Sequence, residues 1–268
     1  MKTVRSYIFV DEVKDVPTTV HDAGQWIFLI GIGIPANTID AVEAKLSTVL
    51  QPLGSNGFHA KDSYKEKSPN FELMNAMTDI VSSFRLPWFC FPFAKAWLTS
   101  PKLENLQKMQ FKGWQPKVSN YEFAAFYFFL HCLNTFLLTH SQLEQSSRLV
   151  CDQGIRNARE GFSFEESEIL KTVENVIFAS RKQVPLLALP DHIGYLFGKC
   201  RRELPRANGE INLEPKESNT AVQNECLKHI STLVNARLFH RFDLCEWIDD
   251  ENKRLDKLNA KVDNNVNN

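Results

Sequence analysis

Three acids stand where a folded chain could bring them together: Asp11, Asp152 and Asp191. Asp11 closes the apolar run Tyr7-Ile8-Phe9-Val10 and is followed by Glu12, Asp152 closes Leu149-Val150-Cys151, and Asp191 follows Pro190 after a third apolar run. Carboxylate oxygens are hard ligands, and magnesium commonly takes only one or two of them, completing its shell with water and substrate phosphate. Distant sequence positions are therefore no obstacle to one divalent site. Each acid also has a plain structural account. Asp and Glu begin solvated turns after strands, and an Asp in the first turn of a helix complements its dipole. Strict strand alternation sends Glu12 to the face opposite Asp11, so it joins the site only if the strand has ended.

The elements that must position these acids are legible from patterning. Residues 4–12 carry β-branched and aromatic side chains without polar alternation, as in a strand buried on both faces. Residues 25–34 form a second apolar run, spaced as an antiparallel neighbour. Ile39, Val42, Leu46, Val49 and Leu50 recur at helical spacing, as do Phe71, Met74, Met77, Ile80, Val81 and Phe84. Residues 58–62 read as a strand end or a loop at the Asp11 edge, and residues 88–97 as another strand. Residues 103–114 suit a polar-faced helix or insertion, and residues 121–138 a helix apolar nearly all round, hence buried. Residues 147–152 repeat the acid-tipped strand. Residues 165–174 read as a short acidic helix, 176–180 as a short strand, and Arg181-Lys182 as a basic loop. Leu227, Ile230, Val234, Leu238 and Phe242 place an apolar stripe on a C-terminal helix, continued by Trp247 and Ile248.

Composition narrows the classes. The chain has 268 residues, 43% of them hydrophobic and 24% charged, which suffices for a buried core. A formal net charge of -1 supplies no global attraction to nucleic acid, so such binding needs local basic patches. The six cysteines include no Cys-x-x-Cys pair, and free thiols in a reducing compartment are expected. A start that lacks a basic and apolar leader pattern adds to the expectation of a cytoplasmic protein. The apolar segment 123–138 is bordered or interrupted by Glu122, His131 and Asn134, so a core helix is expected there and no membrane span.

Four segments in order, Tyr-Ile-Phe-Val-Asp-Glu (7–12), Phe-His-Ala-Lys-Asp (58–62), Leu-Val-Cys-Asp-Gln-Gly (149–154) and Leu-Ala-Leu-Pro-Asp-His-Ile-Gly-Tyr (187–195), resemble the domain-of-unknown-function 3800 family, a branch of the ribonuclease-H-like folds. The resemblance covers roughly residues 7–195. Val13-Lys14 replace the Ser-Gly of the family opening, and Ala188 and Pro190 replace the Gln and Ala before its helix acid. The resemblance implies an α/β fold with a ribonuclease-H-like mixed sheet flanked by helices, and a divalent-metal-dependent nuclease. It makes Asp11, Asp152 and Asp191 ligands of Mg2+ or Mn2+, with Glu12 beside them and His59 as a further catalytic residue. Phosphodiester hydrolysis by two ions about 3.5–4 Å apart is the chemistry that follows. His59 could shuttle a proton or contact a phosphate, or be a satisfied structural histidine; Asp62 is a weaker candidate.

The expected organisation is a domain over 1–205 with a helical insertion around 101–140, a polar loop at 206–219, a helical extension over 220–262 and a frayed tail at 263–268. Lys199, Arg201, Arg202 and Arg206 suit either a nucleic-acid backbone or a solvated helix face. Trp26, Trp88, Trp97 and Trp114 read as core, and so does Cys151. Two other functions fit the chain: a catalytically inactive interaction protein that keeps the fold and meets a protein partner or a second copy through its C-terminal helix, and a metal-dependent phosphatase that uses the same acids.

Overall fold

A computed structural model describes residues 4–14, 26–94, 121–139, 147–154, 172–200 and 219–242, together with 249 and 253. A six-stranded mixed sheet runs in the order β5-β4-β1-β2-β3-β6. Its strands are β1 (Ser6–Lys14), β2 (Trp26–Pro35), β3 (Trp88–Ala94), β4 (Ser147–Asp152), β5 (Val173–Ala179) and β6 (Phe239–Arg241). β1, β2 and β3 pair antiparallel in succession, whereas β4 joins β1, β5 joins β4 and β6 joins β3 in parallel. The Val10↔Cys151 pair is the last in the β1–β4 register, so Asp11 and Asp152 emerge side by side at one edge. At the other end of the same pair, the Ser6 and Ser147 hydroxyls share a buried hydrogen bond of 2.6 Å.

Alternation divides the sheet's side chains between two cores. Phe9, Phe28, Ile30, Ile32, Trp88 and Val150 face helices α1 (Ile39–Leu50), α3 (Phe71–Ser83), α5 (Ala188–Cys200) and α6 (Ala221–Asn235). Ile8, Val10, Ile27, Leu29, Phe89, Phe91 and Cys151 face α4 (Tyr121–Thr139). The polar interruptions of α4 have structural uses. Asn134 Oδ1 accepts from the Thr172 hydroxyl at 2.7 Å and ties the helix to the start of β5. Among the described residues, no helix is long and apolar enough to cross a membrane.

Most elements stand where patterning puts them, with three differences. Residues 58–62 make no strand: His59 precedes the single helical turn α2 (Ala60–Ser63). Val173 and Glu174 belong to β5 and not to an acidic helix. The C-terminal stripe is not one helix through Phe242. α6 ends at Asn235, Arg237 adopts a left-handed φ of 56°, and the chain turns back to add β6 to the sheet. Leu227 and Ile230 of the stripe are buried with Val222, Cys226 and Leu233 in the same core as α3 and α5, so this face of α6 is covered within the chain. The helix or insertion at 103–114, Arg201, Arg202, Arg206, Trp97, Trp114, Trp247 and the tail at 263–268 lie outside the described residues.

Candidate metal centre

The buried strands β1 and β4 deliver Asp11 and Asp152 to the sheet edge on the α5 face, each less than a tenth exposed. A backbone N–H then orients one oxygen of each. Glu12 N donates to Asp11 Oδ1 and Gly154 N donates to Asp152 Oδ1, both at 2.8 Å. α5 supplies Asp191 from its first turn, and Asp191 Oδ2 accepts from Ala60 N at 2.8 Å. That bond brings α2 to the site. His192, the next residue, holds the turn in place, because its ring nitrogens meet Tyr64 Oη at 2.9 Å and Thr78 Oγ1 at 3.0 Å in the core.

Arg181, two residues past the end of β5, enters the middle of the cluster. Its Nη2 donates to Asp11 Oδ2 at 2.9 Å, Nη1 lies 3.2 Å from Asp191 Oδ2, and Nε lies 3.4 Å from Asp152 Oδ2. Nε is buried without a hydrogen-bond partner, so its relation to Asp152 is an ion pair only. β5 runs parallel to β4 and ends at the same edge, which brings Arg181 to the acids; reading Arg181-Lys182 as a basic loop missed this.

Glu12 differs from its expected placement. β1 continues through Lys14 and Glu12 faces away from Asp11, yet carboxylate oxygens of Asp11, Glu12 and Asp152 all lie within 4.8 Å of one another. The longer Glu side chain reaches round the sheet edge, over Gly154: a Cβ there would collide with Glu12 Oε1 and lie 3.0 Å from Asp152 Oδ1. This three-carboxylate group is the set among the described residues that could hold a metal ion. Asp191 is not in it and is engaged by Arg181 and Ala60 instead. His59 is half-exposed, 3.4 Å from the exposed Asp62, and acts on Asp191 only through its charge. Lys199 bonds Glu66 on the surface, away from the acids.

The electrostatics are those of crowded buried acids. Burial raises the Asp11 pKa well above its ordinary range; Arg181 opposes this, and Asp191, Glu12 and Asp152 add to it. Asp191 is also raised, again by burial first, against the pull of Arg181, the Ala60 N–H and His59. Burial works against the Arg181 charge, but the four acids outweigh it and keep its pKa above the ordinary value. Cys151, beneath the acids, has its thiol pKa pushed up by burial and by Glu12, Asp152 and Asp11, which makes it core and no nucleophile. Three carboxylates from two neighbouring strands form a set of hard oxygens that could hold a divalent ion. Comparison with protein-family models and with curated proteins returned no match to this chain.

Proposed function

We propose that this protein is a divalent-metal-dependent nuclease built on a ribonuclease-H-like sheet. The observation that carries the reading is the convergence of Asp11, Glu12 and Asp152, from two parallel neighbouring strands, to within 4.8 Å. The mixed strand order supports the fold assignment, because it sets the two acid-tipped strands side by side and lays α5 with Asp191 across them.

Asp11, Glu12 and Asp152 would hold the ion. When bound, a magnesium or manganese ion polarises a phosphoryl oxygen and activates water for attack on phosphorus. The chain's own contributions are positional. β1 and β4 keep two ligands rigid, Gly154 leaves room beside Glu12, and Arg181 with Asp191 closes the inner wall. His59, half-exposed on the turn that docks on Asp191, would meet a phosphate or move a proton at the rim.

The test is cleavage of single- and double-stranded DNA and RNA with Mg2+ or Mn2+, comparing the native protein with Asp152→Asn. Asparagine keeps the shape and removes the ligand charge. Metal-dependent cutting that the variant loses is the expected result. A native protein that binds metal but cuts only phosphomonoesters would make it a phosphatase using the same acids, and one that binds no metal would overturn the reading.

A further inference from the structure

The cluster has two sides, and Arg181 occupies one of them. Asp11 and Asp152 each turn Oδ2 toward the guanidinium and Oδ1 toward the backbone beside Glu12 and Gly154. The Oδ2 side also takes Asp191 Oδ2, so one planar cation spans three carboxylates with a different nitrogen for each. The Oδ1 side is flanked by the Glu12 carboxylate and floored by Gly154, where a Cβ would force Glu12 to swing away. A divalent ion binds oxygens at about 2.0–2.1 Å and carries two charges. An ion bridging the Oδ2 atoms would sit against the guanidinium nitrogens, which hold those atoms at 2.9 and 3.4 Å. The two cations exclude each other there.

We infer that the site takes a single divalent ion, on Asp11, Glu12 and Asp152, and that Arg181 stands permanently in the place of a second metal. This rests on the metal-site reading above and narrows it, replacing the two-ion arrangement that the family resemblance implies. Charge favours it. One divalent ion and one guanidinium bring three positive charges to the four carboxylates, and two ions with Arg181 would bring five. Arg181 has five N–H groups and is 21% exposed at the side chain; Nη2 donates to Asp11, whereas Asp191 and Asp152 meet the guanidinium as ion pairs. The remaining donors can meet a phosphoryl oxygen from the side where a second ion would otherwise do so. Asp191 is then a positioning residue for Arg181, and the metal does not need it.

The experiment counts Mn2+ bound by the full chain, by titration calorimetry and by electron paramagnetic resonance of free Mn2+, with no nucleic acid present. The native protein and Arg181→Lys should each bind one equivalent, and Arg181→Met, which vacates the guanidinium place, should bind two. Two equivalents in the native protein, or one in a folded Arg181→Met, would overturn the inference while leaving the nuclease reading intact. No binding by the native protein would overturn both. Asp191→Asn is the check that does not depend on Arg181→Met folding. Its Mn2+ affinity should fall by no more than about tenfold, the lower end for residues that only support a site, whereas Asp152→Asn should lose measurable binding. Equal losses in the two variants would make Asp191 a ligand and sink the one-ion assignment.

Discussion

Arg181 Nη2 donates to Asp11 Oδ2 at 2.9 Å, joining residues 170 positions apart in the chain. The bond ties the end of β5 to the centre of the sheet and makes the acids depend on one another. One guanidinium can neutralise only one of the three carboxylates it touches. The metal-free site is therefore electrostatically unfavourable, a common property of functional sites that costs the fold stability.

That imbalance sets the sign for Asp11→Asn. A carboxyl whose folded pKa is raised binds more protons folded than unfolded, so its stabilising contribution is complete below the unfolded value of 3.8 and is lost as pH rises through the raised folded value. At neutral pH without metal, ionised Asp11 is a cost. Asp11→Asn should raise the Tm measured in EDTA at pH 7.5, and the gain should shrink as pH is lowered toward 4. With Mn2+ added, the order should reverse, because only the native protein gains a ligand. A lower Tm for Asp11→Asn in EDTA would show that the Arg181 bond outweighs the burial of charge.

Gly154→Ala tests the space beside Glu12. An added Cβ would meet the Glu12 carboxylate and lie 3.0 Å from Asp152 Oδ1. Glu12 is flexible and can swing away, so the fold should survive with a change in metal-free Tm worth less than about 1 kcal/mol. The displaced ligand should appear instead as weaker Mn2+ stabilisation of the Tm. Undiminished stabilisation would remove Glu12 from the metal set.

β1 and β4 were legible because burial on both faces leaves an unbroken apolar run; β4 ends at Asp152 as read, whereas β1 runs three residues past Asp11 along β2, and Asp11 lies where the pairing with β4 stops. Arg181 was not, since β5 is an edge strand of mixed burial that carries no unbroken apolar run to mark its end. Glu12 was assigned by alternation to the far face; the direction was right, but side-chain length let its carboxylate come back round the edge. Leu238 and Phe242 continue the helical spacing of α6, and the period alone could not reveal that Arg237 breaks the helix with a positive φ. The Asp191 turn is held by Ala60 N and by His192 in the core, contacts that span more than a hundred residues and have no local signal.

His192 makes the fold acid-sensitive next to Asp191. Burial, with a smaller effect of His229, lowers its pKa from 6.5 to about 3. Neutral imidazole offers one donor and one acceptor, which Tyr64 and Thr78 match. With a depressed folded pKa, the unfolded chain binds more protons between these values. The contribution is thus complete above pH 6.5 and is lost as pH falls toward 3. His192→Gln cannot charge but leaves part of the network unsatisfied, so it should cost about 1–3 kcal/mol at pH 7.5. Its deficit against the native protein should narrow steadily below pH 6.5. A constant deficit down to pH 4 would mean that His192 does not titrate differently on unfolding.

The approach of α5 to β1 is set by Gly194, and through it the distance between Asp191 and Asp11. An ideal Cβ on Gly194 would lie 3.0 Å from Val13 Cγ2 and 3.7 Å from Ile30 Cγ1. Ile30 is completely buried and cannot yield, whereas Val13 is half-buried beside the sheet edge. Gly194→Ala should therefore destabilise by about 1–3 kcal/mol through overpacking, despite the better helix propensity of alanine. Val13→Ala removes the methyl groups in the way. In that background Gly194→Ala should become neutral or stabilising by up to about 1 kcal/mol, leaving only the helix-propensity term. Chemical denaturation of the native protein, both single variants and the double variant measures this coupling. Strict additivity would show that the helix adjusts without leaning on Val13. Coupling of the two substitutions would show that the packing of α5 on β1 is set by the Gly194–Val13 contact.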